Sequence, residues 1–148
     1  MTKLLQALLT GLLFTFLLDA FLFVGIKINY IDFYHIQVYY NVLFADHQNI
    51  FIFSFFTLLI GFITTYVNNA KLSLIFVGSL FVLAIATLIA PLGKMLGEMM
   101  FLQKDMLLKD KKYTYRGDSY YNGRKKITFY DYELKKVIIL DKKRLLKD

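Results

Sequence analysis

The chain has 148 residues, of which 57% are hydrophobic, and its mean hydropathy is +0.51. This apolar content exceeds that of a typical water-soluble domain. The absence of Cys excludes disulfides, thiolate nucleophiles and Cys-based zinc or iron–sulfur sites, and the absence of Trp leaves 11 Tyr and 15 Phe to supply any aromatic belt.

The net charge of +7 is unevenly distributed along the chain. Lys94 and the residues after it include 15 of the 18 Lys and Arg and 8 of the 11 acidic residues, so residues 1–93 are neutral overall. This shift predicts a boundary between an apolar membrane domain, residues 1–93, and a polar, basic tail.

Three apolar stretches, residues 4–25, 50–67 and 72–92, have about the 20 residues that a helix needs to cross a bilayer. The first has no small-residue cleavage pattern after it and is expected to be a retained helix, not a leader. Only residues 68–71 separate the other two, which predicts an antiparallel hairpin. Pro91 should end or kink the third stretch. The expected fold class is therefore an α-helical membrane protein with three transmembrane helices.

The segment 26–49 is rich in Tyr but carries Asn29, Asp32 and His35, which are costly in hydrocarbon. It is expected to be an interfacial aromatic loop. Lys94, Lys104 and other basic residues follow the third stretch, which favours a cytoplasmic tail and an N-terminus outside. Small size suggests a bacterial inner membrane. With an odd number of spans, this loop and the tail share one side.

The tail divides into two predicted parts. Apolar residues at three- and four-residue steps predict an amphipathic juxtamembrane helix over residues 94–111. Residues 112–148 are rich in Tyr, Thr, Ile and Val and predict a three-stranded antiparallel meander with strands near 112–120, 125–131 and 136–141. Asn122-Gly123 is typical of a two-residue hairpin turn. So small a meander should lean on the aromatic loop, on a second copy or on a larger partner.

Asp19 is an acidic residue inside the first apolar stretch, on a row of small or polar residues spaced by four. Such rows let membrane helices pack closely. The predicted helix-interface residues are Ala7, Gly11, Thr15 and Asp19 in the first stretch, Ser54, Thr57, Gly61, Thr64 and Asn68 in the second, and Ser79, Ala86 and Ala90 in the third. Matching depths along straight helices makes Thr57 and Thr87 the nearest hydrogen-bond partners of Asp19.

Three roles remain open for Asp19: a polar contact within the bundle, a contact with a partner protein, or part of a proton or ion path. A proton path usually shows several ionisable groups within the spans. A buried carboxylate without a cation favours its neutral form or a basic group on another protein.

Other patterns carry less information. Asp32, His35, Asp46 and His47 are interpreted as wetted interfacial residues rather than as a metal site. No phosphate-binding loop or catalytic motif appears, so neither a cofactor nor catalysis is expected. Attraction to anionic lipid or an acidic partner explains the basic tail better than nucleic acid does. The residues expected to face lipid or a partner are Lys104, Lys109, Lys111, Lys112, Arg124, Lys125 and Lys126.

These features lead to the hypothesis of a non-enzymatic accessory or scaffold protein. It would bind and stabilise, or help assemble, a larger membrane complex through its small-residue helix faces and basic tail, with other integral membrane proteins or further copies of itself as partners. The alternative is a transporter or channel subunit with Asp19 in the conducting path. A third possibility is a membrane enzyme that uses His35 and His47 at the interface.

Overall fold

The computed structural model describes residues 2–146, which form five α-helices followed by four β-strands. The helices are α1 (Lys3–Ile26), α2 (Tyr40–His47), α3 (Ile50–Tyr66), α4 (Ala70–Ala86) and α5 (Ala90–Phe101), and a wider π-type segment, Lys27–Ile31, extends α1. The strands are β1 (Gln103–Lys109), β2 (Thr114–Asn122), β3 (Lys126–Asp131) and β4 (Lys136–Asp141), and they form one antiparallel sheet in sequence order.

The prediction of three transmembrane helices was wrong. Within residues 2–146, one continuous helix of 29 residues, Lys3–Ile31, is long and apolar enough to cross a membrane. The helices α3 and α4 have 17 residues each. They reach that standard only when joined to α2 and α5, from which they are bent by 85° and 87°.

Local chemistry explains both bends. The side chain of Asn49 accepts hydrogen bonds from the amides of Phe51 and Ile52, so it caps the start of α3 and separates that helix from α2. The helix α4 already ends at Ala86. Pro91 therefore lies in the first turn of α5, where its missing amide costs nothing, instead of ending the preceding span.

The expected loop 26–49 is largely helical. The first helix continues five residues beyond Ile26, and α2 follows after a short irregular segment. The Tyr40 hydroxyl donates to the carbonyl oxygen of Ala20 at 3.0 Å, and the Phe44 ring meets Phe16 and Phe23 edge-on. These contacts hold α2 against α1 at the level of residues 16–23.

The predicted amphipathic helix over residues 94–111 was also wrong beyond Phe101. Residues 103–109 form β1, so the sheet has four strands instead of three. Met106 and Leu108 are the partly buried positions of β1, an alternation of period two. The same apolar residues also fit a helical spacing, and pairing with β2 decides in favour of the strand.

The hairpin between β2 and β3 turns two residues later than Asn122-Gly123. Asn122 pairs with Ile127, and the Gly123 amide donates to the Lys126 carbonyl at 3.0 Å, which leaves Arg124 and Lys125 at the tip. No glycine among the described residues has a positive φ. Side chains that must face inward set this register, because a slip of one residue would turn them outward.

The sheet docks on the extended end of α1. A shift of register between Ser119 and Tyr121 makes Tyr120 a bulge, and the carbonyl of Tyr120 accepts a 2.7 Å hydrogen bond from the Tyr30 hydroxyl. Tyr30 is fully buried and tilts against the Phe101 ring. This aromatic cluster joins the sheet, α1, α2 and α5 into one buried core.

Candidate intramembrane site around Asp19

The helices α1 and α3 approach each other closely along a row of small residues. A Cβ atom at Gly11 would lie 1.9 Å from the carbonyl oxygen of Thr57, and one at Gly61 would lie 2.3 Å from that of Ala7. Ala7, Thr15 and Thr57 are buried at this contact. Only residues without bulk allow two backbones to come this near, which is the packing typical of membrane helices.

The structure does not bring all of the predicted interface residues together. Ser54, Asn68, Ser79 and Ala90 are exposed, and Ala86 is half-buried. Thr64 is also half-buried, and its hydroxyl donates to the Ile60 carbonyl of its own helix at 2.7 Å. The small-residue contact is therefore concentrated in α1 and the middle of α3.

The buried side of α4 differs from the one indicated by Ser79, Ala86 and Ala90. Its buried residues are Val77 and Ala84, followed by Thr87 just after the helix. Thr87 fits against Gly25, where a Cβ atom would lie 2.1 Å from the threonine Oγ1. The spacing of small residues did not identify this face, because Val77 and the large residues around it form part of the contact between α4 and α1.

Asp19 is hydrogen-bonded to a residue that sequence reasoning did not identify. The amide nitrogen of Gln48 donates to Asp19 Oδ2 at 3.0 Å. Neither predicted threonine is the partner. Thr57 lies opposite Gly11, about 12 Å along α1 from Asp19, and the Thr87 hydroxyl donates to the Ala84 carbonyl at 2.6 Å. Matching depths along straight helices gave the wrong partner because α3 begins at the level of Asp19. Thr57, further along α3, therefore lies away from it.

Asp19 lines a cavity of about 250 Å³ between α1, α3, α4 and α5. Thr15 and Thr87 supply its other polar side chains, and the remaining walls are apolar: Leu18, Leu22, Phe56, Leu80, Leu83, Ala84 and Leu96. The hydroxyl of Thr15 is buried and has no hydrogen-bond partner among residues 2–146. Such a hydroxyl is costly unless a further group bonds to it.

A second, larger opening of about 810 Å³ lies beside the same surface of α1, toward the α3–α4 turn. Phe14 forms its floor, and its polar rim includes Thr64, Asn68 and Ser73. Both α3 and α4 pack mainly on α1. They also meet each other: the Ser73 hydroxyl donates to the Ile63 carbonyl at 2.9 Å, and Ile60 and Val77 belong to one buried cluster. We call the two openings together the α3–α4 groove: Asn68 lines the larger opening and Asp19 the smaller one.

The predicted lipid- or partner-facing basic residues are all exposed in the sheet and its turns. Arg124 forms an ion pair with Asp46 of α2, with its Nε 2.8 Å from one carboxylate oxygen. This pair ties the tip of the β2–β3 hairpin to α2. Lys125 and Lys126 follow it directly, whereas Lys111 and Lys112 lie in the β1–β2 turn at the other end of the sheet.

The two histidines are not arranged as metal ligands. No group of three potential metal-ligating side chains occurs within the part of the chain that the structure describes. His47 packs edge-on against Phe101 at 4.8 Å between ring centroids, and its Nδ1 lies 3.1 Å from the Leu43 carbonyl oxygen. His35 is an exposed turn residue with a φ of 52°.

The chain was compared with protein-family models, curated proteins and solved structures. No significant match was found in any of the three comparisons.

Proposed function

We propose that this protein is a non-enzymatic membrane accessory protein whose α3–α4 groove receives a helix of another integral membrane protein. The observation that carries the proposal is the pair of mainly apolar openings beside α3 and α4, one lined by Asn68 and other polar groups and the other by Asp19. The binding would stabilise the partner or help to assemble it into a larger complex.

The chemistry of the groove specifies the occupant. Its walls are mainly apolar, which suits a helix already dissolved in lipid. At one end, Asp19 offers a carboxylate that has an amide partner in Gln48 but no cation among its hydrogen-bond donors in residues 2–146. A Lys or Arg on the incoming helix would compensate this charge.

The groove favours a binding role over an ion path. Asp19 is its one carboxylate, and its other polar lining side chains are hydroxyls and amides. Proton and ion paths normally use a series of ionisable groups across the hydrocarbon region. The alternative of a transporter or channel subunit predicts ion flux in reconstituted vesicles that is lost in Asp19→Ala.

The proposed location is an integral membrane position in a bacterial inner membrane, with α1 crossing the bilayer, the N-terminus outside and the sheet in the cytoplasm. The length and apolar character of α1 support membrane insertion. Lys27, Lys94 and the basic sheet all lie at the same end of α1, which supports a cytoplasmic location for that end.

Site-specific photo-crosslinking in native membranes tests the proposal. A photoreactive side chain at Leu83, which lines the groove, should give a discrete protein adduct. Val82, the neighbouring residue, is the matched control. Its side chain is as exposed as that of Leu83, 68% against 67%, but it does not line the groove. Equal adducts from both positions, or lipid adducts alone, would contradict the proposal.

A second experiment tests whether adduct formation depends on the Asp19 carboxylate. Asp19→Asn keeps the shape of the side chain and removes its charge, so the Leu83 adduct should fall at least tenfold if a cation binds there, since charged hydrogen bonds contribute about 1.5–3 kcal/mol. Asp32→Asn, which removes a carboxylate paired with Lys27 outside the groove, serves as the control. An adduct between two copies of this chain would indicate that the groove binds a second copy of this chain and not another protein.

A further inference from the structure

A separate cavity of about 310 Å³ lies where the β2–β3 hairpin meets the segment between α1 and α2. One side is apolar and consists of Ile36, Val38 and Val42, together with Ile139 from β4. The other side is basic, with Arg124, Lys125 and Lys126 in sequence. A cavity with one apolar and one cationic wall is amphipathic in the manner of a phospholipid.

The backbone holds the basic wall in place. Arg124 is paired with Asp46, and the carbonyl of Lys125 accepts a 2.9 Å hydrogen bond from the Lys142 amide. Lys126 is the first residue of β3 and lies opposite Asp141, whose carboxylate accepts from the Lys143 amide at 3.0 Å. Two exposed lysines are therefore presented from a fixed hairpin tip.

The wall between these two sides contains a polar group without a partner. Tyr121 lines the cavity and is 4% exposed, and its hydroxyl has no hydrogen-bond partner within residues 2–146. Burial raises the pKa of Tyr121, so the hydroxyl keeps its proton and can donate. A phosphate oxygen that reaches this buried hydroxyl would accept from it.

We propose that this cavity binds the phosphate headgroup of an anionic phospholipid. Lys125 and Lys126 would supply the compensating charge and Tyr121 a hydrogen bond, while the lipid's glycerol and first methylenes would lie against the apolar wall.

With α1 crossing the bilayer as proposed above, the site adjoins the membrane. This position and the exposed apolar surface make a lipid a better fit than a free phosphate. The apolar wall continues into α2, which lies against α1 at the level of residues 16–23. On β4, Val137 and Ile139 are 45% and 48% exposed beside the cavity. A free anion would need neither apolar surface. Binding here would hold the sheet flat on the membrane surface, independently of any helix in the α3–α4 groove.

Native mass spectrometry of the full chain, released from detergent with defined lipids, tests this site. Phosphatidylglycerol should be retained in preference to phosphatidylcholine. Each well-placed lysine near an anionic headgroup is worth about a fivefold change in affinity. We therefore expect Lys125→Gln/Lys126→Gln to bind phosphatidylglycerol about 25-fold more weakly. The matched control, Lys111→Gln/Lys112→Gln, removes the same charge at the other end of the sheet and should bind like the wild type.

The remaining arms separate the alternatives. Tyr121→Phe removes one hydroxyl and should weaken retention of phosphatidylglycerol several-fold. Unchanged retention would show that this hydroxyl does not bind the lipid. Equal retention of both lipids, or equal losses in the two lysine pairs, would overturn the proposal in favour of non-specific attraction. Displacement of the lipid by millimolar inorganic phosphate would identify a free anion as the ligand instead. Circular dichroism of each variant checks that the sheet is intact.

Discussion

The contact between α1 and α3 makes a sharp prediction for single added methyl groups. In Gly11→Ala the new Cβ would lie 1.9 Å from a backbone carbonyl oxygen, that of Thr57, whereas ordinary contacts begin at 3.4 Å. The carbonyl belongs to a hydrogen-bonded helix and cannot rotate away, so the helices must separate locally by about 1.5 Å. Gly78→Ala is the matched control, because a Cβ there meets nothing within 4 Å.

The expected magnitude follows from two opposing effects. Both variants gain the helix preference of Ala over Gly, worth about 1 kcal/mol. Only Gly11→Ala also overpacks an interface, at a cost of about 2–3 kcal/mol. For a chain of this length each kcal/mol shifts Tm by about 2–4 °C. The two variants should therefore differ in Tm by about 4–12 °C, with Gly11→Ala the lower.

Thermal unfolding of the purified chain in a mild detergent, followed by circular dichroism at the helical bands, measures this difference. Gly61→Ala, which would meet the Ala7 carbonyl at 2.3 Å, should resemble Gly11→Ala. Equal Tm values for Gly11→Ala and Gly78→Ala would refute the close approach of α1 and α3, and with it the geometry of the α3–α4 groove.

Three further predictions concern the end of α1 that carries the sheet. Tyr30→Phe leaves the bulge carbonyl of Tyr120 without its donor and should cost about 1–3 kcal/mol, seen as faster amide exchange in β2 than in wild type. The Arg116 guanidinium lowers the pKa of the Asp105 carboxyl, so the stability from this pair is present above about pH 4 and is lost as pH falls through the lowered folded-state value. In Arg116→Gln the Tm should drop near pH 6 and converge with wild type near pH 2, whereas parallel curves would contradict the linkage. Gly97→Ala, whose Cβ would lie 2.3 Å from the Tyr30 ring, should loosen α5 and lower Tm by several degrees.

The sequence was most informative where a single element carries its own signal. An acidic residue in an apolar stretch drew attention to Asp19, and four-residue spacing selected Ala7, Gly11 and Thr15, which the structure places against α3. Both signals are local to one helix and need no knowledge of its neighbours. The composition of the last third similarly indicated a sheet, because β-branched and aromatic residues accumulate there.

Features that depend on two elements could not be predicted. The bend between α2 and α3 places Gln48 at Asp19, but its angle depends on how Phe44 and Tyr40 pack on α1. The residues of β1 fit helical and strand periods equally, so only the register with β2 identifies them as a strand. The turn predicted at Asn122-Gly123 is found two residues later, because cross-strand pairing sets the register of the hairpin.

The bends that shorten α3 and α4 are also what creates the candidate site. Because α2 crosses α1 at the level of residues 16–23, the carboxylate has an amide partner before any other protein binds. At the other bend, the Asn29 side chain donates to the carbonyls of Thr87 and Leu88 at 2.9 and 3.1 Å, which satisfies the free end of α4. Between these bends α3 and α4 meet at the Ser73–Ile63 hydrogen bond and around Ile60 and Val77, so the space proposed for a third helix lies in the two openings beside that contact.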